Sequence, residues 1–101
     1  MIVYNVTVKI NTDVHNEWLE WMQSVHVPDV MKTGYFISNQ IAKVLGQDET
    51  DGITYAIQYI CNDMKALHEY TIKEAPALQK EHTKRYQGKF VAYRTLLEII
   101  N

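Results

Sequence analysis

The stretch EWLEWMQSVHVPDVM, residues 17–31, holds both tryptophans of the chain, a histidine and one of its two prolines. Apolar residues recur here with a helical period on one stripe, which consists of Val14, Trp18, Trp21, Met22 and Val25. Because a proline cannot occupy a helix interior, Pro28 predicts that the helix ends near His26–Val27 and that a short second turn follows. The stretch therefore predicts an amphipathic helix that buries its tryptophans and ends with a histidine beside a cleft or an interface.

Strands are predicted on both sides of this helix. Ile2 to Ile10 alternates apolar and polar residues with a period of two, which is typical of a half-buried strand. After the helix, Tyr35 to Leu45 and Ile53 to Cys61 predict two further strands. A polar loop bounded by glycines, residues 46–52, lies between them and predicts a hairpin connection.

The second half of the chain predicts a broken helix and a last strand. Asp63 is suited to cap a helix, in which we expect the buried side chains to be Met64, Leu67 and Thr71. Pro76 predicts that this helix is interrupted or restarted. One stripe then repeats every four residues and consists of Leu78, His82 and Tyr86. Gly88 predicts the helix end, and Phe90 to Ile100 predicts the fourth strand.

The order βαββαβ in about 100 residues predicts a ferredoxin-like α+β fold. We expect one domain over residues 1–101, with a four-stranded antiparallel sheet and the helices on one face. The other face should carry a mixture of polar and apolar side chains, namely Val3, Asn5, Thr7, Thr54, Ala56, Gln58, Ile60 and Arg94. This mixture is too apolar for a solvent face and too polar for a dry core, so it predicts a homodimer that covers this face, although one-sided sheets also exist as monomers.

The composition and net charge of the chain argue against several classes of protein. Of the 101 residues, 47% are hydrophobic and 22% charged, and the net charge is −2, with no clustered basic face for a nucleic acid. No apolar run reaches the roughly 18 residues of a membrane span. The first residues have neither a basic region nor a cleavage site, which argues against a signal peptide. A single cysteine, Cys61, allows no internal disulfide, so we expect a cytoplasmic protein.

Three blocks of the sequence resemble a small bacterial family of unknown function. They are residues 17–36, residues 45–50 (LGQDET) and residues 88–98 (GKFVAYRTLLE). That family resembles the dimeric α+β barrel superfamily, which includes antibiotic-biosynthesis-type monooxygenases, heme-degrading enzymes and muconolactone isomerases. The resemblance implies the ferredoxin-like fold and the dimer. It transfers no activity, because one fold hosts many functions.

Two histidines are the candidate catalytic residues. His26 is suited to act as a general base or ligand contact at the end of the first helix, or to cap loose carbonyl groups there, where the helix dipole would favour its protonated form. His82 shares a stripe with two apolar residues and should point at the sheet, where it is either bonded to a tyrosine hydroxyl or part of a binding site. The tryptophans could stack on a planar ligand, but core packing is the commoner role of such a stripe.

The expected binding site lies between the helices and the sheet. Its predicted ligand-binding residues are Trp18, Tyr55, His82 and Tyr86. The heme-degrading members of the resembled superfamily place an Asn on the first strand and a Trp on the second helical segment. This chain departs from that pattern, because both tryptophans are on the first helix. We therefore expect no cofactor.

No metal site is predicted. Asp48, Glu49 and Asp51 share one loop, but they lack the spacing of a calcium loop and no histidine is near. His15 and His68 form no zinc pattern with the cysteine. A solvated hairpin tip explains the acidic loop.

Three function classes remain open. The first is a binder of a small apolar or aromatic molecule, comparable to regulatory domains of this topology. The second is a cofactor-free monooxygenase- or isomerase-like enzyme, in which histidines and tyrosines supply acid–base chemistry. The third is an interaction module whose dimer is the functional object. A cavity containing histidines of shifted pKa would favour an enzyme, and the absence of a cavity would favour the third class.

Overall fold

The computed structural model describes residues 1–101 and contains one antiparallel sheet with helices against one face. The strands are β1 (Ile2–Asn11), β2 (Ser38–Lys43), β3 (Gly52–Cys61) and β4 (Phe90–Glu98), in the sheet order β2-β3-β1-β4. The helices are α1 (His15–Trp21), α2 (Val27–Lys32), α3 (Met64–Lys73) and α4 (Ala75–Arg85). This is the ferredoxin-like α+β fold, so the predicted architecture is confirmed. None of the helices has the length and hydropathy that crossing a membrane requires.

Period-two alternation on the two central strands builds the core. Most side chains that face the helices from β1 and β3 are buried, and they include Ile10, Ile57 and Tyr59. They pack against apolar residues of the helices, of which Trp18, Leu67, Tyr70 and Tyr86 are among the most buried. Both tryptophans are buried, as their stripe predicts.

The first helical segment continues through a π turn, Met22–His26, that joins α1 to α2. Pro28 has no backbone N–H to bond the carbonyl group of Ser24, so the regular α pattern cannot continue there. Instead the backbone N–H of Val27 bonds the carbonyl of Met22, five residues earlier. The wider turn changes the phase of the buried stripe. Val25, predicted to be buried, is therefore 37% exposed.

The predicted start of the second strand and two predicted buried residues of the third helix are wrong. The second strand begins at Ser38 rather than Tyr35, and Phe36 before it is buried against Tyr59 and Tyr70. In α3, Asp63 caps the helix by accepting a bond from the Ala66 N–H, as expected. The buried residues of α3 are Leu67 and Tyr70, whereas Met64 is exposed and so is Thr71. Helix α4 restarts at Ala75 with proline in its first turn, as predicted.

The open face of the sheet, the side without helices, carries a polar row across three strands. Gln40 donates to Gln58, Gln58 donates to Asn5, and Asn5 donates to Thr7. Arg94, predicted on this face, lies on the helix side, because it pairs with Val6 of β1. The prediction was wrong because both faces of β4 are half apolar, so its sequence does not fix its phase. The open face of β4 carries Val91, Tyr93, Thr95 and Leu97 instead.

Candidate functional site

A cavity of about 240 Å³ lies between the helical layer and strands β1, β3 and β4. It is bounded by the π turn and α2 at one side and by α4 at the other. Most of its lining is apolar. The polar and titratable lining side chains are Tyr4, His26, Tyr59, Tyr70, Gln79, His82, Thr83 and Arg94. No aspartate or glutamate is among the lining residues.

His82 is held by a hydrogen bond from the first helix. The indole N–H of Trp18 donates to Nε2 of His82 over 2.9 Å, and both side chains are buried. An indole nitrogen can only donate, so Nε2 must be unprotonated and the neutral ring carries its proton on Nδ1. Of the two roles expected for His82, the bond to a tyrosine hydroxyl is wrong, because Trp18 is its partner, and a place in a binding site stays a prediction. Burial, reinforced by the neighbouring His26 and Arg94, lowers the pKa of His82 to about 4.

His26 is brought to the same cavity by the π turn. Its ring centroid lies 5.1 Å from that of Trp21 and 5.7 Å from that of His82. Its Nδ1 atom is buried and has no hydrogen-bond partner, so packing rather than hydrogen bonding holds the ring. Burial lowers the pKa of His26 to about 4, against a smaller opposing effect of Asp29. The predicted cap of a helix end, with a protonated ring, is therefore wrong because the helix continues past this residue.

Arg94 supplies the single charged side chain of the lining. Its Nε donates to the hydroxyl oxygen of Tyr4 over 3.0 Å. None of the ion pairs of the protein includes this arginine. Burial also raises the pKa of Tyr59 and of Tyr70 well above the usual phenol value, so these hydroxyls stay protonated. At neutral pH the cavity thus combines neutral hydrogen-bonding groups with one cation.

The four predicted ligand-binding residues do not meet at one surface. His82 lines the cavity, together with the other catalytic candidate, His26. Trp18 and Tyr86 are packed in the core behind that lining, with exposed fractions of 0% and 2%. Tyr55 packs beside Trp18 and does not line the cavity, and its hydroxyl is 2.7 Å from Nε2 of His15.

Sequence reasoning missed Arg94 and the pairing of the two histidines. The helix-facing phase of β4 could have been found from its first residues, because Phe90 and Ala92 share a face with Arg94 and pack against the core. The contact between His26 and His82 joins residues 56 positions apart and had no local signal in the sequence. The structure contains no group of three or more histidine, cysteine or acidic side chains arranged to hold a metal ion.

The sequence matches one protein-family model over residues 1–100, nearly its whole length. The chain belongs to DUF4286, a domain of unknown function. No curated protein has a sequence that matches it.

Solved structures with this fold include proteins of several kinds. A dimeric ferredoxin-like protein from an uncultured marine organism is 14% identical, with a TM-score of 0.71 over 100% of this chain and 96% of its own. A mutant of MhuD, described with two manganese protoporphyrin IX molecules per active site, is 16% identical, with a TM-score of 0.71 and the same two coverages. SnoaB from Streptomyces nogalater, described as a cofactor-independent oxygenase, is 13% identical, with a TM-score of 0.68 over 99% of this chain and 94% of its own. At such identities the likeness concerns the fold.

The histidine of α4 does not fit the role of a heme ligand. Nε2 of His82 accepts the hydrogen bond of Trp18, and Nδ1 carries the proton of the neutral ring. Neither nitrogen therefore offers a free lone pair to iron. In its observed arrangement His82 therefore could not ligate the metal of a porphyrin such as the one described for MhuD.

Proposed function

We propose that the protein binds a small apolar or aromatic molecule in the cavity between the helices and the sheet. The observation that carries this proposal is the cavity itself, with its largely apolar lining and a few convergent polar groups. Small-molecule sites in proteins have this composition, in which apolar walls supply affinity and a few polar atoms fix the orientation.

The open side of the cavity gives a ligand a way in. Thr83 on α4 and Arg94 on β4 line the cavity and are also exposed. His82, which the bond to Trp18 fixes, is buried and lines the same cavity together with His26. A molecule that enters between α4 and β4 would thus reach the two histidines at the inner end.

A site-blocking variant tests this proposal. We expect several neutral aromatic fragments, with naphthamide as the reference probe, to shift the NMR signals of lining residues such as Ile57 and Ala92. Thr83→Phe places a ring at the entrance and should weaken these fragments at least about tenfold. Lys84→Phe adds the same ring one residue along α4, outside the lining, and should leave binding unchanged. The proposal is wrong if no neutral aromatic fragment perturbs the lining, or if the two variants behave alike.

A second candidate is a cofactor-free enzyme of the monooxygenase or isomerase type. The pair of neutral imidazoles in the cavity supports it, since a base must be unprotonated at the working pH. SnoaB shares the fold and is described as a cofactor-independent oxygenase. His26 would be the proton acceptor, because Trp18 and the Nδ1 proton occupy both nitrogens of His82. Dioxygen uptake with phenolic substrates, lost in His26→Phe, would support this candidate.

We further propose that the protein is a homodimer formed through the open face of the sheet. Tyr93 and Leu97 of this face are exposed, beside the polar row that contains Asn5 and Gln58. The marine protein of the same fold is described as dimeric. The cavity lies on the other side of the sheet, so a dimer formed in this way leaves it open. The alternative of an interaction module without a ligand does not explain the cavity.

A further inference from the structure

We propose that the ligand of the cavity carries an anionic oxygen group, such as a carboxylate, which Arg94 binds. This inference rests on the proposed function and names the chemical class of its ligand. The apolar part of the molecule would contact the walls near Ile57 and Ala92, and the anion would lie at the β4 side of the cavity.

The charges of the side chains that line the cavity favour an anionic ligand. Arg94 is the single charged side chain of the lining, and no acidic residue lines the cavity to neutralise it. Five ion pairs occur elsewhere on the protein, and they include Arg85, the other arginine of the chain. A cation beside an apolar wall, without a counter-ion from the protein, attracts a ligand of opposite charge.

The hydrogen bond of Arg94 leaves its two terminal nitrogens free to donate to a ligand. Its Nε donates to Tyr4, whereas its two terminal nitrogens have no protein partner. The bond to Tyr4 holds the guanidinium group in place and lowers the cost of ordering this side chain when a ligand binds. A fixed guanidinium with free terminal N–H groups is suited to pair with the two oxygens of a carboxylate.

The neutral groups of the lining favour the same ligand. The hydroxyl of Tyr4 accepts from Arg94 and donates its own proton to no protein group. The bond that Nε2 accepts from Trp18 is the one side-chain hydrogen bond of His82, so Nδ1–H likewise has no protein acceptor. Donors without acceptors inside a cavity select a ligand that is rich in acceptor oxygens.

Matched acid and amide probes test the inference. Naphthoate and naphthamide have the same apolar body and differ in the charge of one substituent. We expect wild-type protein to bind naphthoate about tenfold to a hundredfold more tightly at pH 7, as for a charge-assisted hydrogen bond, measured by calorimetry. Arg94→Gln should remove this preference, because naphthoate then loses its charged partner. Arg94→Lys keeps the charge but lacks the paired N–H groups, so it should retain only part of the preference for naphthoate.

Arg85→Gln is the matched control, because Arg85 is on the outer side of α4, over the ring of Trp21 and paired with Glu17. It should keep the full preference for naphthoate. Equal binding of the two probes to wild type, or a preference that survives in Arg94→Gln, would overturn the inference while the proposed apolar site stands. If neither probe binds to wild type, the inference is wrong, and the proposed function is wrong too if no other neutral aromatic fragment perturbs the lining.

Discussion

The indole N–H of Trp18 and Nε2 of His82 form a buried hydrogen bond of 2.9 Å between α1 and α4. The two residues are 64 positions apart, so this bond joins two distant helices of the same layer. It also fixes the ring of His82 and directs its protonated nitrogen away from Trp18. The most buried tryptophan of the protein thereby sets the chemistry of a cavity that it does not line.

The first prediction concerns the tautomer of His82. Nitrogen-detected NMR at pH 7 should show the neutral Nδ1–H form. Trp18→Phe keeps an aromatic ring but removes the donor, so His82 should then show a mixture of tautomers. The variant should lose about 1–3 kcal/mol of unfolding free energy, because a buried acceptor is left unpaired. A predominant Nε2–H form in the wild type would contradict the observed hydrogen bond.

The second prediction concerns stability against pH. The pKa values of His26 and His82 are about 4 in the folded protein, against 6.5 as the ordinary value. Between these values the unfolded chain binds more protons than the folded one, so unfolding free energy falls as pH drops from 6.5 to 4 and is fully regained above 6.5. His26→Phe should reduce this fall by removing one group. Chemical denaturation across this window measures it, and an equally steep fall in the variant would exclude His26 as a cause.

The fold was predictable because its signals are local. Each signal depends on neighbouring residues. The signals are the alternation of apolar and polar residues on β1 and β3, the four-residue repeat on α4 and the helix breaks at the two prolines. The site was less predictable for physical reasons. The π turn moves Val25 out of the buried stripe, and the alternation of β4 fits either face, so Arg94 was assigned to the wrong one. The partner of His82 is 64 residues away, where no periodicity could indicate it.

The third prediction concerns the buried tryptophans. Trp18→Ala should cost about 3–5 kcal/mol of unfolding free energy, the usual cost of removing a large core aromatic. Val25→Ala is the control, because the π turn leaves Val25 37% exposed, and it should change stability by no more than about 0.5 kcal/mol. Urea denaturation of both variants measures these changes in unfolding free energy. A large loss in Val25→Ala would indicate an uninterrupted α-helix that buries this residue.

The fourth prediction concerns the proposed dimer. Tyr93 on the open face is 64% exposed and Ile72 on α3 is 62% exposed. If the open face forms the interface, Tyr93→Lys should place a charge in it and yield monomers, whereas Ile72→Lys should leave the dimer intact. Sedimentation velocity at micromolar concentration distinguishes the two states. A monomeric wild type, or a dimer that tolerates Tyr93→Lys, would contradict the proposed interface.

The most direct measurement is a crystal structure of the protein soaked with a fragment that shifts the NMR signals of the cavity. The ligand should lie between α4 and β4, with a polar atom within hydrogen-bond distance of Nδ1 of His82 and its apolar body against Ile57 and Ala92. The Trp18–His82 bond should be unchanged. Ligand density on the open face of the sheet, or side chains that fill the cavity and exclude the fragment, would contradict a binding site between the helices and the sheet.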